Sequence, residues 1–205
     1  LNLALARQAE PPVVFEDGEL NADLVVTVEQ GGQRAALTGT VGGEQIAMQL
    51  TGQSLHKIDI QNSLDLQYSP DAGIVAKTVR TELFCDGASA ILLDVNGTYE
   101  PETEALECVL TLHHLRETLW NALPEVQRGA ARVEAMLLTG QATGSMKGTN
   151  AIRSRGQFNL ERLAVVRPER GMTPPINGNL EYNINYHDKR LDINELLVVG
   201  EKEME

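Results

Sequence analysis

The sequence predicts a mostly β protein built as a long antiparallel meander, and three observations carry that reading. Apolar and polar residues alternate with period two through run after run of the chain. Short turn signals separate the runs. The apolar residues are overwhelmingly aliphatic: the chain is 42% hydrophobic but only 4% aromatic, with three Phe, four Tyr and one Trp. At 205 residues it is long enough for a core without covalent staples.

The first run places Leu20, Ala22, Leu24, Val26 and Val28 at every second position, with Asn21, Asp23, Thr27 and Glu29 between them. After Gly31-Gly32 the pattern resumes at Ala35, Leu37 and Val41, and after Gly42-Gly43 at Ile46, Met48 and Leu50. Ile58 and Ile60, then Leu64, Leu66 and Tyr68, continue it. Further on come Leu106, Cys108, Leu110 and Leu112, then Leu180, Tyr182, Ile184 and Tyr186, and last Leu191 and Ile193. Turns are expected at Ser69-Pro70-Asp71, Asp86-Gly87, Glu100-Pro101 and His187-Asp188-Lys189. The spacing gives roughly ten or more strands, as in antiparallel meanders.

One segment departs from period two. From Leu115 to Arg132 the apolar residues Leu115, Leu119, Leu123 and Val126 fall three or four apart beside Trp120, which predicts helix. Pro124 suits a first-turn position, so two short helices fit as well as one kinked helix. Val133 to Leu138 returns to extended structure, and Pro174-Pro175 marks a further loop. No stretch reads as an interdomain linker. Residues 1–200 are therefore expected to form a single β-rich domain with a helical insertion at 115–132, followed by a charged tail at 201–205.

Composition excludes several functions. Seventeen basic against 29 acidic residues give a net charge of −12, a poor basis for neutralising phosphates or docking on anionic lipid headgroups. Nucleic acid is not an expected partner. No apolar run reaches the roughly 20 residues of a membrane-spanning helix. Leu1 stands where an initiator would, and Leu1–Ala6 lacks the basic flank and length of a signal peptide. The chain reads as one whose export signal was removed or as a piece of something longer, whose full length would carry any membrane anchor.

Signatures of catalysis are not found: no G-x-S-x-G, P-loop, strand-following G-x-G-x-x-G or H-E-x-x-H. The expectation is a protein without enzymatic activity, cofactor or metal. His113 and His114 are adjacent, so on a regular strand they would point to opposite faces and not share a metal. His56 and His187, near turns, read as surface residues. Glu100, Glu102 and Glu104 read as a charged loop, and Asn96-Gly97-Thr98 as a strand bend before a glycosylation acceptor. Cys85 and Cys108 both read as inward-facing. In a simple meander they are too far apart for the 4.4 to 6.8 Å Cα separation that a disulfide needs, so two thiols are expected unless the sheet folds over. Tyr182 and Tyr186, with Asn183 and Asn185 interleaved, are the single candidate for polar-ligand binding, but the two tyrosines share a face and read more simply as core residues.

Alternation alone is served by a closed β-sandwich or barrel as well as by an open sheet. The second half adds a resemblance. The run Thr139-Gly140-Gln141-Ala142-Thr143-Gly144-Ser145-Met146-Lys147-Gly148-Thr149 leads to Gly156-Gln157-Phe158-Asn159-Leu160-Glu161-Arg162-Leu163. Gly178 to Tyr186 follows, then Leu191-Asp192-Ile193-Asn194-Glu195-Leu196, closing at Gly200. Over residues 115–200 this resembles the AsmA-like proteins of the bacterial envelope, including TamB-type members. The resemblance implies an antiparallel sheet curled into an open U-shaped groove with an apolar lining. It also implies phospholipid acyl chains as ligand, a place in the periplasm or cell envelope, and a role in intermembrane lipid transport or outer-membrane biogenesis. No catalytic residue carries over. On this reading the groove lining comprises Leu24, Val26, Val28, Leu37, Ile46, Met48, Leu50, Leu64, Leu66, Leu106, Leu110, Leu112, Leu180 and Ile184. Leu119, Trp120 and Leu123 would cap the groove, and free sheet edges would invite neighbouring β-modules. The alternatives are a cell-surface sandwich for binding or adhesion, and an envelope assembly scaffold working by strand addition.

Overall fold

A computed structural model describes residues 13–50, 53–122, 132–148, 151–167, 170–187 and 190–202. Eleven strands follow one another: β1 (Val13–Glu29), β2 (Arg34–Leu50), β3 (Gln53–Ser69), β4 (Gly73–Cys85), β5 (Ala88–Glu100), β6 (Ala105–Arg116), β7 (Arg132–Lys147), β8 (Ala151–Arg167), β9 (Gly171–Met172), β10 (Ile176–His187) and β11 (Arg190–Lys202). Among the described residues one α-helix, α1 (Glu117–Ala122), follows β6, and a short 3-10 turn at Gln30–Gly32 joins β1 to β2. Every strand pairs antiparallel with its chain neighbour in the order β1-β2-β3-β4-β5-β6-β7-β8-β10-β11, with the two-residue β9 also on β8. The sheet is open: β1 and β11 lie at opposite ends of that path. No second sheet forms among the described residues, so the closed sandwich and barrel are both set aside.

Local chemistry explains the hairpins. Asp86 and Gly87 have φ of 51° and 76°, the double positive φ of a type I′ turn whose twist matches the flanking strands. Between β3 and β4 the Ser69 hydroxyl accepts the Ala72 N–H at 3.3 Å, and Gly73 takes φ 64° where a side chain would overlap the Tyr99 carbonyl. Glu100–Glu104 forms an exposed charged turn, with Thr103 bonded to Glu100 at 2.9 Å. Pro174 and Pro175, which have no N–H to donate, separate β9 from β10. Thr173 there keeps the ladder to Val165 with its own N–H and its hydroxyl, both at 2.9 Å.

Strand pairing sorts the side chains into two faces. Directly opposed residues share a face, and five unbroken rows cross the ten-strand path on one of them. The central row runs Leu24, Gly39, Leu64, Val79, Val95, Leu110, Ala142, Gly156, Tyr182, Leu196. The row beside it runs Ala22, Val41, Asn62, Thr81, Leu93, Leu112, Gly140, Phe158, Leu180, Val198. The opposite face is mostly polar, as in the row Asp23, Thr40, Ser63, Arg80, Asp94, Thr111, Gln141, Gln157, Glu181.

Most strand bulges fall on a common line, those of β4 and β11 lying on the other side of the central row. Beyond the fifth row, which runs from Leu20 through Gly43 and Ile60 to Gly178 and Gly200, or beside it, the register shifts in β2, β3, β5, β6, β7 and β8. Gln45, Lys57 and Arg162 take φ of 52°, 58° and 54° there. Neighbouring strands satisfy the displaced amides: Gln45 donates to Asp59 at 2.7 Å and Arg162 to Asn177 at 2.8 Å. Inserted residues bend strands, and the buried side chains gather at this bend. Ile46, Ile58, Cys85, Ala90, Leu112, Val133 and Ala164 are the buried hydrophobics among the described residues.

The helix begins later than its periodicity implied. Leu115 and Arg116 belong to β6, with Leu115 paired to Ile91 and Leu138; residues 123–131, including Leu123 and Pro124, lie outside the described residues. The cause is the bulge at His113, which puts Leu112 and Leu115 three apart while keeping both on the apolar face. The same bulge overturns the expectation for the histidines. His113 bonds Asp94 and His114 bonds Ser89, each at 2.8 Å, so both lie on the polar face. Cys85 and Cys108 are free thiols. Their partners on β5 are Ala88 and Gly97, which at about 3.3 Å per residue separates them by roughly 30 Å and excludes a disulfide.

Candidate functional site

The apolar face runs the whole width of the sheet, from β1 to β11. None of its five rows contains an ionisable acid or base apart from the cysteine thiol and the tyrosine phenols. Several of its polar groups are bonded within the face. Thr81 donates to the Asn62 amide oxygen at 2.8 Å, Asn62 donates to the Val41 carbonyl at 3.4 Å, and the Ser154 and Tyr182 hydroxyls meet at 3.1 Å. Among the described residues no second layer covers the face, and its outer strands are open to solvent: Leu20 is 83% exposed and Val198 70%. It is an open trough about ten strands wide, roughly 45 Å from β1 to β11 at 4.8 Å per strand.

Glycines shape its floor. At Gly140 a Cβ would overlap the Gln157 carbonyl and the Phe158 ring, and at Gly156 it would overlap the Tyr182 ring. Phe158 and Tyr182 stack with centroids 6.3 Å apart and planes 6° from parallel. Each ring thus fills the space left by the neighbouring strand's glycine, covering backbone that would otherwise be bare. Tyr182 and Tyr186 belong to this apolar face, while Asn183 and Asn185 belong to the other.

Of the groove-lining residues expected from sequence, Leu24, Val26, Val28, Leu37, Ile46, Leu64, Leu66, Leu106, Leu110, Leu112, Leu180 and Ile184 all fall on the one face. Met48 and Leu50 continue along β2, in register with Leu55 and Gln53. The face also includes Ile74, Val79, Ile91, Leu138, Ile152, Phe158 and Leu160, which lie outside that set.

Helix α1 packs against β5 and β7 at the bent end of the sheet. Leu119 is half-buried there and Trp120 is 46% exposed. Here β7 runs on past the last residue of β6, Arg116 opposite Leu137. Side chains of α1 take over the ladder: Asn121 donates to the Val133 carbonyl at 2.6 Å and accepts the Val133 N–H at 3.0 Å, and Glu117 accepts the Met136 N–H at 3.2 Å.

The polar face holds two charged networks. Arg80 grips Asp94 through two nitrogens at 2.7 and 2.8 Å, with His113 at 2.8 Å. The Arg80 hydrogen bonds hold the Asp94 carboxyl down at about 2, and His113 adds to the effect. Beside it, His114 Nε2 meets the Ser89 hydroxyl at 2.8 Å while Ser89 donates to Glu82 at 2.8 Å. Burial pushes His114 down, with Arg116 contributing. The carboxylate bonds the serine here, whereas an acyl-transfer triad sets it on the imidazole. No group of three or more His, Cys, Asp or Glu among the described residues is arranged to hold a metal. An open polar depression of about 720 Å³ lies farther along this face, edged by Asn96, Glu107, Arg153, Arg155 and Asn185.

No protein-family model, curated protein or solved structure matches the chain. The fold and the site define a class by themselves: an open single-layer antiparallel sheet with one apolar and one polar face. No described helix is long and apolar enough to cross a membrane.

Proposed function

We propose that this chain is a non-enzymatic lipid-binding module of the bacterial envelope. Its apolar face would shield phospholipid acyl chains during intermembrane lipid transport or outer-membrane biogenesis in the periplasm. The observation that carries the reading is the set of five in-register rows, free of charged side chains and with no second layer over them among the described residues. A soluble protein that left such a face to water would be an aggregation hazard. An acyl chain laid along it leaves water at about 0.8 kcal/mol per buried methylene. The resemblance of residues 115–200 to AsmA-like proteins supports the envelope setting.

The test is native mass spectrometry of protein purified without harsh detergent, followed by organic extraction. Phospholipid at a defined stoichiometry is the expected result. Leu110→Asp, which sets a charge on the central row, is expected to abolish loading while circular dichroism stays that of the parent. A clean apo mass with no uptake of a fluorescent acyl probe overturns the reading. An assembly scaffold working by strand addition is the second reading, favoured by the unpaired outer sides of β1 and β11.

A further inference from the structure

We infer that β11 of one molecule pairs antiparallel with β1 of a second copy, so that molecules add head to tail into one continuous sheet. Among the described residues no segment pairs with the outer side of either strand. Both are long for edge strands, β1 with 17 residues and β11 with 13, and neither contains proline; register shifts interrupt β1 only between Phe15 and Glu19 and β11 only between Ile193 and Glu195. Both are apolar on two faces over part of their length. Val25 and Val26 are 57% and 66% exposed, and Leu196 to Val199 are exposed in succession.

Parity and register make the two edges complementary. The path holds ten strands, each antiparallel to the next, so β1 and β11 run in opposite directions. A second copy in the same orientation therefore continues the alternation and keeps its apolar face on the same side. Because the five rows are unbroken, each ends at a residue that meets the start of the same row in the next copy. Leu191 would face Val28, Ile193 Val26, Leu196 Leu24 and Val198 Ala22. One step beyond the first row, Arg190 falls opposite Glu29, an opposite-charge cross-strand pair. Glu201 falls opposite Glu19 with Lys202 next along. Pairing like edges, β1 with β1, would instead set acidic strands together. The inference goes beyond lipid binding, since an empty sheet would associate in the same way.

Sedimentation velocity of the full chain over a concentration series tests it. Wild type is expected to show a concentration-dependent series of species. Val26→Lys and Leu196→Lys each place a charge on one exposed edge, and each alone is expected to be monomeric with unchanged circular dichroism. Mixed, they retain one intact β11 and one intact β1, so a one-to-one dimer and nothing larger is expected. As a second measurement, a mixture of Glu29→Cys and Arg190→Cys chains, both in a Cys108→Ser background, should give a mixed dimer with a short bis-maleimide. Wild type that stays monomeric throughout, a single-edge variant that still dimerises alone, or no mixed cross-link overturns the inference.

Discussion

Asn121 occupies the place of a strand residue opposite Val133, exchanging with it the same pair of N–H and C=O bonds that a neighbouring peptide would make. The sheet loses β6 at this level, and an amide side chain from α1 substitutes for it. Asn121→Ala leaves a part-buried donor and acceptor unpaired and is expected to cost about 1–3 kcal/mol. Urea unfolding measures this, and Asn121→Asp, which keeps only the acceptor, should fall between the two.

Glycine positions on the apolar face differ sharply in what surrounds them. Gly140→Ala drives a methyl into the Gln157 carbonyl and the Phe158 ring and is expected to destabilise by about 1–3 kcal/mol. At Gly200 the nearest atom to such a methyl is 3.9 Å away, so Gly200→Ala should lie within about 0.5 kcal/mol of wild type. Equal midpoints for the two variants would contradict the crowding described for the trough floor.

The Arg80–Asp94–His113 network sets an acid-side dependence of stability. Asp94 titrates at about 2 in the fold against about 3.9 in an unfolded chain. A lowered carboxyl favours folding above the unfolded value, and that contribution is lost as pH falls through the folded one. The difference in urea midpoint between wild type and Arg80→Met should therefore hold near neutrality and shrink between about pH 4 and 2. A difference that does not change over that window would refute the assignment.

Thiol reactivity should divide the two cysteines. Cys85 is 3% exposed, and burial, with Asp86 adjacent, pushes its thiol up. Cys108 stands half-exposed on the open face beside Gly144. A thiol reagent under native conditions should label one cysteine per chain, Cys108 by peptide mapping, and the second only on unfolding.

Strands and their apolar face are legible because alternation by two survives wherever a strand is regular, as at Leu106 to Leu112 and Leu180 to Tyr186. The turns are legible because Asp86-Gly87 and Ser69-Pro70-Asp71 carry their own backbone chemistry. Where reading failed, a bulge was the cause. The extra residue at His113 turned two neighbouring histidines to one face and set Leu115 three residues from Leu112, out of step with the alternation. The role of Asn121 was equally hidden, because its partner lies twelve residues away and the match is between a side chain and a backbone. Whether the apolar face stayed open could not be read from alternation, which a packed sandwich satisfies as well.

Along the ten-strand path each strand pairs only with its neighbours, which are consecutive in the chain except where the two-residue β9 stands between β8 and β10. Such a molecule is thermodynamically one-dimensional, its stability a sum of neighbour couplings with no distant closure to complete it. Unfolding should accordingly begin as fraying at β1 and β11 and move inward, with amide exchange slowest in the central strands. Loss of a terminal hairpin would shorten the sheet while the remaining strands keep their partners, so the length of the trough can change by whole hairpins without altering its cross-section.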